Sequence, residues 1–479
     1  MFDNDNFYFD DPEFEALLNR YQALVQDGQP AYFEMDDFES IIDYFAIRGE
    51  MDYAQRAIAE AQKQHPNDAG VLLCQAEIYI ATDRYEDAWK IVQQLSKSDI
   101  GEEELQQLKS IVLIGLGRVQ EGLQAMENIQ KAADLEEKIM LWSGLVEFLQ
   151  KRNLSKFAII YAQQLCAIDP EEPGWMLTLA RCYRDVFDIR NSAKWYKKFL
   201  KKEPDATEVM LELGDMYRKG QLHQKALDAY NNAIDADEEC WEAYSKIGQL
   251  FTSLDQYADA KKIYLEMLAL RADSTEALYG VGINAVFQNH WKEAISYFQQ
   301  AIAADPYCHE AYYGLSLVAG KQEHLAQQIE LLSYAVTLSP ADTHYLFHLA
   351  KTYFKKGDID AAIDTLLLLV QIDPTKGDAW IMLACAQSTG NKNLAIETLK
   401  TALKHLPQAA NISCLLATFY YKNQDISSCT TYLKQAIKAE DALVLSFFES
   451  CPEAILNPHI VLLCKQYSKL FGLKKMSKK

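Results

Sequence analysis

His344 and His348 stand four residues apart in a stretch of helical periodicity, a spacing that lets two imidazoles share one face and could place them on a divalent cation. No HExxH pattern surrounds them and no third ligand is evident, so no metal site is expected. Gly280 and Gly282 form a GxG, yet no strand precedes it and Gly282 falls in a repeating packing slot, so it is not read as a phosphate loop. Neither a GxSxG elbow nor a Walker loop occurs. The ten cysteines, spread from Cys74 to Cys464, contain no CxxC pair and read as small core residues of a reducing compartment, not as disulfides or zinc ligands. No catalytic residue and no cofactor is expected; what remains is noncovalent recognition.

Residues suited to recognition recur at a fixed interval. Tyr279, Tyr313 and Phe347 are spaced by 34, Ile283, Leu317 and Lys351 follow four residues along, and Phe287, Lys321 and Lys355 form a third row, with Phe354 beside them. On a helix, positions i, i+4 and i+8 share a face, so three adjacent helices would carry an aromatic strip that turns basic toward one edge. A second cationic group, Arg181, Arg184, Arg218 and Lys219, reads as exposed helix charge beside Asp185 and Asp215.

The elements that position these residues are legible from the same interval. Small residues recur at Ala54, Ala88, Gly122, Ser192, Ala226, Ala260, Ala294 and Ala362, and again at Ala180, Gly214, Gly248, Gly282, Ser316, Ala350 and Ala384. Pro170, Pro204, Pro306, Pro340 and Pro374 keep the same beat, as do Tyr183, Tyr217 and Phe251, and Tyr196, Tyr230, Tyr264 and Phe298. A repeat of this length with apolar residues at helical spacing predicts two helices and a tight turn per unit, with small residues where the helices cross. Each proline marks a stop, because it lacks an amide hydrogen and biases its predecessor away from the α conformation. Asp169, Asp305 and Asp373 each precede one of them, as turn punctuation requires.

In these slots the chain resembles the tetratricopeptide repeat family, over nearly its whole length. Twelve units are placed, beginning near 35, 69, 103, 139, 173, 207, 241, 275, 309, 343, 377 and 410, and occupying residues 35–443 as one uninterrupted array. Packing is expected to be weakest in the third, where Lys109 replaces a large apolar residue, and in the ninth, where Gln328 replaces alanine. The resemblance implies an all-α fold, a right-handed superhelical solenoid of antiparallel helix pairs whose concave surface is lined by first helices. It also implies that Tyr279, Ile283, Phe287, Tyr313, Leu317, Lys321, Phe347, Lys351, Phe354 and Lys355 face that groove. A noncatalytic scaffold for a protein or peptide partner, acidic and carrying aromatic anchors, is the function this suggests; a regulatory or assembly subunit of an enzyme or envelope-biogenesis complex is the alternative. Equally open is whether Tyr279, Tyr313 and Phe347 bind a partner or pack on one another along the inner wall.

The flanks differ from the repeats. Residues 1–34 are read as an acidic, aromatic start plus a capping helix over Glu13 to Val25, and residues 444–479 as a capping helix through Ile460, Leu463, Cys464, Tyr467, Leu470 and Phe471 with a basic tail. In Met1 to Asp11, Phe2, Phe7, Tyr8 and Phe9 alternate with Asp and Asn; it is either a docking segment or a loose start resting on the first cap. The first 60 residues contribute −12 of the net −21, while the last fifteen hold six lysines and no acid. An acidic whole argues against nucleic-acid binding, which needs a basic face to release counterions. No basic, apolar leader and no apolar run of about 20 residues is present, so a cytoplasmic protein without membrane insertion is expected.

Overall fold

Several helix starts in this chain are marked by side chains that accept the first free amides. Asp342 Oδ1 accepts from the backbone amides of His344 and Tyr345 at 2.8 and 3.3 Å, Asn391 Oδ1 from Asn393 and Leu394, and Ser274 Oγ from Ala277. Three helix ends are set by Asp-Pro corners, where Asp169, Asp305 and Asp373 accept from the amides of Glu171, Tyr307 and Thr375 two residues on. The computed structural model describes residues 12–66, 68–98, 100–130 and 134–473, so Met1–Asp11 and the Lys474–Lys479 tail lie outside the described residues.

The chain folds as two units divided between Gln221 and Leu222. The first contains α1 (Pro12–Asp27), α2 (Met35–Ile47), α3 (Met51–Gln64), α4 (Ala69–Ala81), α5 (Tyr85–Leu95), α6 (Glu102–Gly115), α7 (Val119–Gln130), α8 (Leu135–Lys151), α9 (Ser155–Ile168), α10 (Pro173–Asp185), α11 (Ile189–Phe199) and α12 (Thr207–Lys219). The second contains α13 (His223–Ala236), α14 (Trp241–Ser253), α15 (Tyr257–Leu270), α16 (Thr275–Phe287), α17 (Trp291–Ala304), α18 (His309–Lys321), α19 (Leu325–Leu338), α20 (Thr343–Lys356), α21 (Ile359–Ile372), α22 (Gly377–Ser388), α23 (Lys392–His405), α24 (Ala410–Lys422), α25 (Ile426–Ala439), α26 (Leu443–Ser450), a 3-10 turn (Pro452–Leu456), α27 (Pro458–Tyr467) and α28 (Lys469–Leu473). Among the described residues there is no strand, and no helix is long and apolar enough to cross a membrane.

Both units are all-α stacks of antiparallel helix pairs, the solenoid architecture. Within the first, α2 packs on α3, α4 on α5, α6 on α7, α8 on α9 and α10 on α11. In the second the pairs are α14 with α15 and so on to α24 with α25, and first helices also touch the first helix of the next pair, as α14 does α16 and α16 does α18. Each layer is therefore buried only by its neighbours.

The crossings are close because glycines on two first helices make room for one ring. Phe298 of α17, fully buried, sits between Gly282 of α16 and Gly314 of α18. A Cβ added at Gly282 would lie 2.5 Å from its Cε1, and one at Gly314 would meet the same ring. Tyr264 of α15 is held in the same way between Gly248 and Gly280. Gln328, expected to weaken the ninth unit, is accommodated by Gly320, where a Cβ would come within 2.5 Å of its Nε2.

Most corners between paired helices use a left-handed residue, whatever its type: Asp83, Asn153, Phe187, Asp255, Asn289, Glu323 and Gln424 all have φ near +60°, and Gly49, Gly117 and Gly357 fill equivalent corners, while the α22–α23 corner does without one. Two elements differ from expectation. Helix α8 starts at Leu135, not 139, because Asp134 and Glu137 form a reciprocal capping box. The single helix expected through Phe471 breaks at Ser468, since Asp441 Oδ2 captures the amides of Lys469 and Leu470 and starts a new turn there. At the other end α1 lays Phe14 and Tyr21 against Tyr44, Phe33 and Phe45.

Candidate functional site

Helices α16, α18 and α20 carry the strip expected from the sequence. The aromatic row divides. Tyr313 is buried, its ring stacked 4.9 Å from Tyr345 and met edge-on by His344 and His348 at 5.1 and 5.5 Å. Tyr279 is half-buried with its ring 5.9 Å from Phe298, and Phe347 is half-buried against the core that runs on through α22 and α24. All three rings therefore take part in the packing of the wall.

The second and third rows are more open. Ile283 and Leu317 are half-buried, while Phe287 is 49% exposed and stacks on Tyr257 at 5.0 Å, and Phe354 is 40% exposed. Lys321, Lys351 and Lys355 are exposed, and none of them pairs with a carboxylate among the described residues. The carboxylates of this face lie toward the other ends of the helices: Glu276 accepts from Ser245 Oγ, and Glu310 lies 3.4 Å from His309 Nδ1. The strip thus has an acidic end that is already partnered and a basic end that is not.

Tyr345 and His309 also belong to this wall, although the periodic pattern does not point to them. Tyr345 occupies the slot held by Ala243, Ala277, Ala311 and Ala379 in neighbouring units, and its hydroxyl meets His309 Nδ1 at 2.9 Å. A large residue in a small-residue slot is the signal that could have found it. The His344 and His348 rings lie 4.6 Å apart, but no group of three or more His, Cys, Asp or Glu among the described residues is arranged to hold a metal.

His348 is nevertheless unusual, since burial, then His344 and Lys351, push its pKa down from 6.5 to about 4. The folded protein keeps it neutral where the unfolded chain would take a proton, so stability is complete above pH 6.5 and falls as pH drops toward 4. Solvent screening at a half-buried ring reduces the effect to about 1 kcal/mol. Urea denaturation of wild type and His348→Gln at about pH 7 and about pH 4.5 should show a smaller acid-induced loss in the variant; equal losses contradict the assignment.

The second cationic group is not simply exposed. Arg181 makes a two-point contact with Glu212 of α12 at 2.6 and 3.1 Å, Arg184 reaches the same carboxylate at 2.8 Å, and the Tyr196 hydroxyl donates to it at 2.7 Å. Burial pushes Glu212 up, but the hydrogen bonds from Arg181 and Tyr196 and both guanidinium charges hold it below the usual carboxylate range. Arg218 pairs with Asp215 at 3.5 Å. Arg181 and Arg184 are structural in this arrangement; the repeat interval, which brings residue 212 beside residues 181 and 184, is the sequence signal for it.

Residues 177–239 and 279–343 match one tetratricopeptide repeat model, and residues 343–376 match another. No curated protein matches the sequence. Among solved structures, similarity extends to a tetratricopeptide repeat protein from Parabacteroides merdae (15% identity, 52% of this chain and 99% of that one, TM-score 0.42). The C-terminal part of a repeat protein from Cytophaga hutchinsonii (18%, 50% and 98%, TM-score 0.37) and a protein of this repeat class from Thermus thermophilus (16%, 38% and 99%, TM-score 0.34) are also similar.

Proposed function

Because this chain is a tetratricopeptide-repeat protein, we propose that it is a noncatalytic scaffold which grips a protein or peptide partner along the first helices α16, α18 and α20. The observation that carries this reading is the pairing of three unsatisfied lysines with two exposed rings, Phe287 and Phe354, on neighbouring helices. Rings supply contact area, and ammonium groups at the rim select carboxylates. The partner is an acidic segment with aromatic anchors, met in the cytoplasm, where the ten free thiols are at home. In this reading the side chains of Ile283 and Leu317 form the floor and Tyr279, Tyr313 and Phe347 hold the wall in shape. The flanking helices α1 and α27 cap residues 35–443, the repeat array, in the same proposal.

Selection of peptides from a displayed random library tests it. Wild-type protein should enrich sequences combining Phe, Tyr or Trp with Asp or Glu. Joint replacement of Lys321, Lys351 and Lys355 by Glu should weaken binding of the enriched peptides by tenfold or more while the melting temperature stays in place. Enrichment that is unaltered by the triple change overturns the site.

A further inference from the structure

The lysine edge of the strip asks for an occupant of particular chemistry, and this chain contains a segment of that chemistry. We propose that the face formed by α16, α18 and α20 receives residues Met1–Asp11 from a second copy of the same chain. The proposal rests on the functional reading above and names the occupant.

Complementarity is the argument. Met1–Asp11 holds Phe2, Phe7, Tyr8 and Phe9 with Asp3, Asp5, Asp10 and Asp11, and no lysine or arginine. The receiving face presents Lys321, Lys351 and Lys355 without acidic partners, on the same three helices as Phe287 and Phe354. Many other basic side chains of the protein already have partners: Arg84 and Lys90 share Asp87, Arg181 and Arg184 share Glu212, and Lys261 meets Glu293 at 2.5 Å. What marks this face is the combination of three lysines that pair with no carboxylate among the described residues and two exposed rings.

Dimensions and polarity agree. Helix axes in contact lie roughly 10 Å apart, so the span from α16 across α18 to α20 is roughly 20 Å. In extended chain at ~3.4 Å per residue, Asp5 to Asp11 covers about 20 Å, with Phe7, Tyr8 and Phe9 in the middle. The acids would then flank an aromatic centre, with one acidic end toward the lysines of α18 and α20. The segment is kept away from the opposite ends of the helices by Glu276, already bonded to Ser245, and by Glu310 beside His309. It is thereby confined to the lysine-bearing halves.

Analytical ultracentrifugation of the full-length chain over a concentration series tests the proposal, with three variants. Wild type should associate reversibly beyond the monomer mass. Phe7→Ala, Tyr8→Ala and Phe9→Ala combined, which alter no residue of the described helices, should raise the dissociation constant at least tenfold, and so should Lys321→Glu, Lys351→Glu and Lys355→Glu combined. Adding Asp3→Lys, Asp5→Lys, Asp10→Lys and Asp11→Lys to the lysine-to-glutamate variant should restore association. A wild-type chain that stays monomeric at every concentration, or a segment variant that associates like wild type, overturns the proposal. Failure here with successful peptide selection removes only the occupant; failure of both removes the site.

Discussion

Phe298→Ala is expected to lower the unfolding free energy by about 3–5 kcal/mol, the range for deleting a fully enclosed aromatic side chain from a core. The ring is wholly buried and clasped by two first helices, so the hole cannot close without moving α16 and α18 together. Because each helix pair is stabilised only by its neighbours, the loss should surface as a separate, earlier melting step in the second unit. Circular dichroism during urea denaturation, with hydrogen exchange to locate the opening, measures it. A loss under about 1 kcal/mol would mean that the clasp closes around the hole. The same change should loosen recognition, since Tyr279 leans on this ring at 5.9 Å.

Gly314→Val attacks the same contact from the opposite direction, by excess volume. A side chain at Gly314 meets the Phe298 ring, and the ring cannot retreat because Gly282 presses on its other face. Overpacking of this kind costs about 2–3 kcal/mol, more than the fraction of a kcal/mol that leaving glycine recovers in helix propensity. Gly144→Ala in α8 is the matching control: nothing lies within 4 Å of the added atom, and a gain of up to about 1 kcal/mol is expected from propensity alone. Urea midpoints of the two variants should move in opposite directions. Parallel movement would show that a larger residue fits at Gly314 and that the approach of Phe298 does not require glycine there.

Gly282 and Gly314 also mark how far the amino-acid sequence by itself can be read. The interval of 34 makes the helix pairs, their starts and the small-residue slots legible, because a stacked repeat must put the same volume at the same place in every layer. The tripartite contact of Gly282, Phe298 and Gly314 is not legible, because it joins two ladders that look independent along the chain. Side-chain chemistry that does not repeat is harder still. Tyr345 with His309, and Glu212 with Arg181, Arg184 and Tyr196, are single events laid over the period, and the sequence marks them only as departures from it. The aromatic row is half legible: spacing places Tyr279, Tyr313 and Phe347 on neighbouring first helices, but only the packed side chains separate a ring turned into the wall from one left open. Phe287 and Phe354 are the open ones.

At the corners between paired helices, aspartate, asparagine, phenylalanine, glutamine and glutamate all accept a backbone hand that glycine alone adopts without strain. Each such residue forgoes about 1 kcal/mol relative to an unstrained corner, and the fold persists regardless. Phe187, three-quarters exposed at one of them, shows that bulk is no obstacle. The row of corners is consequently the margin along which this chain can drift in composition while its layers remain in register.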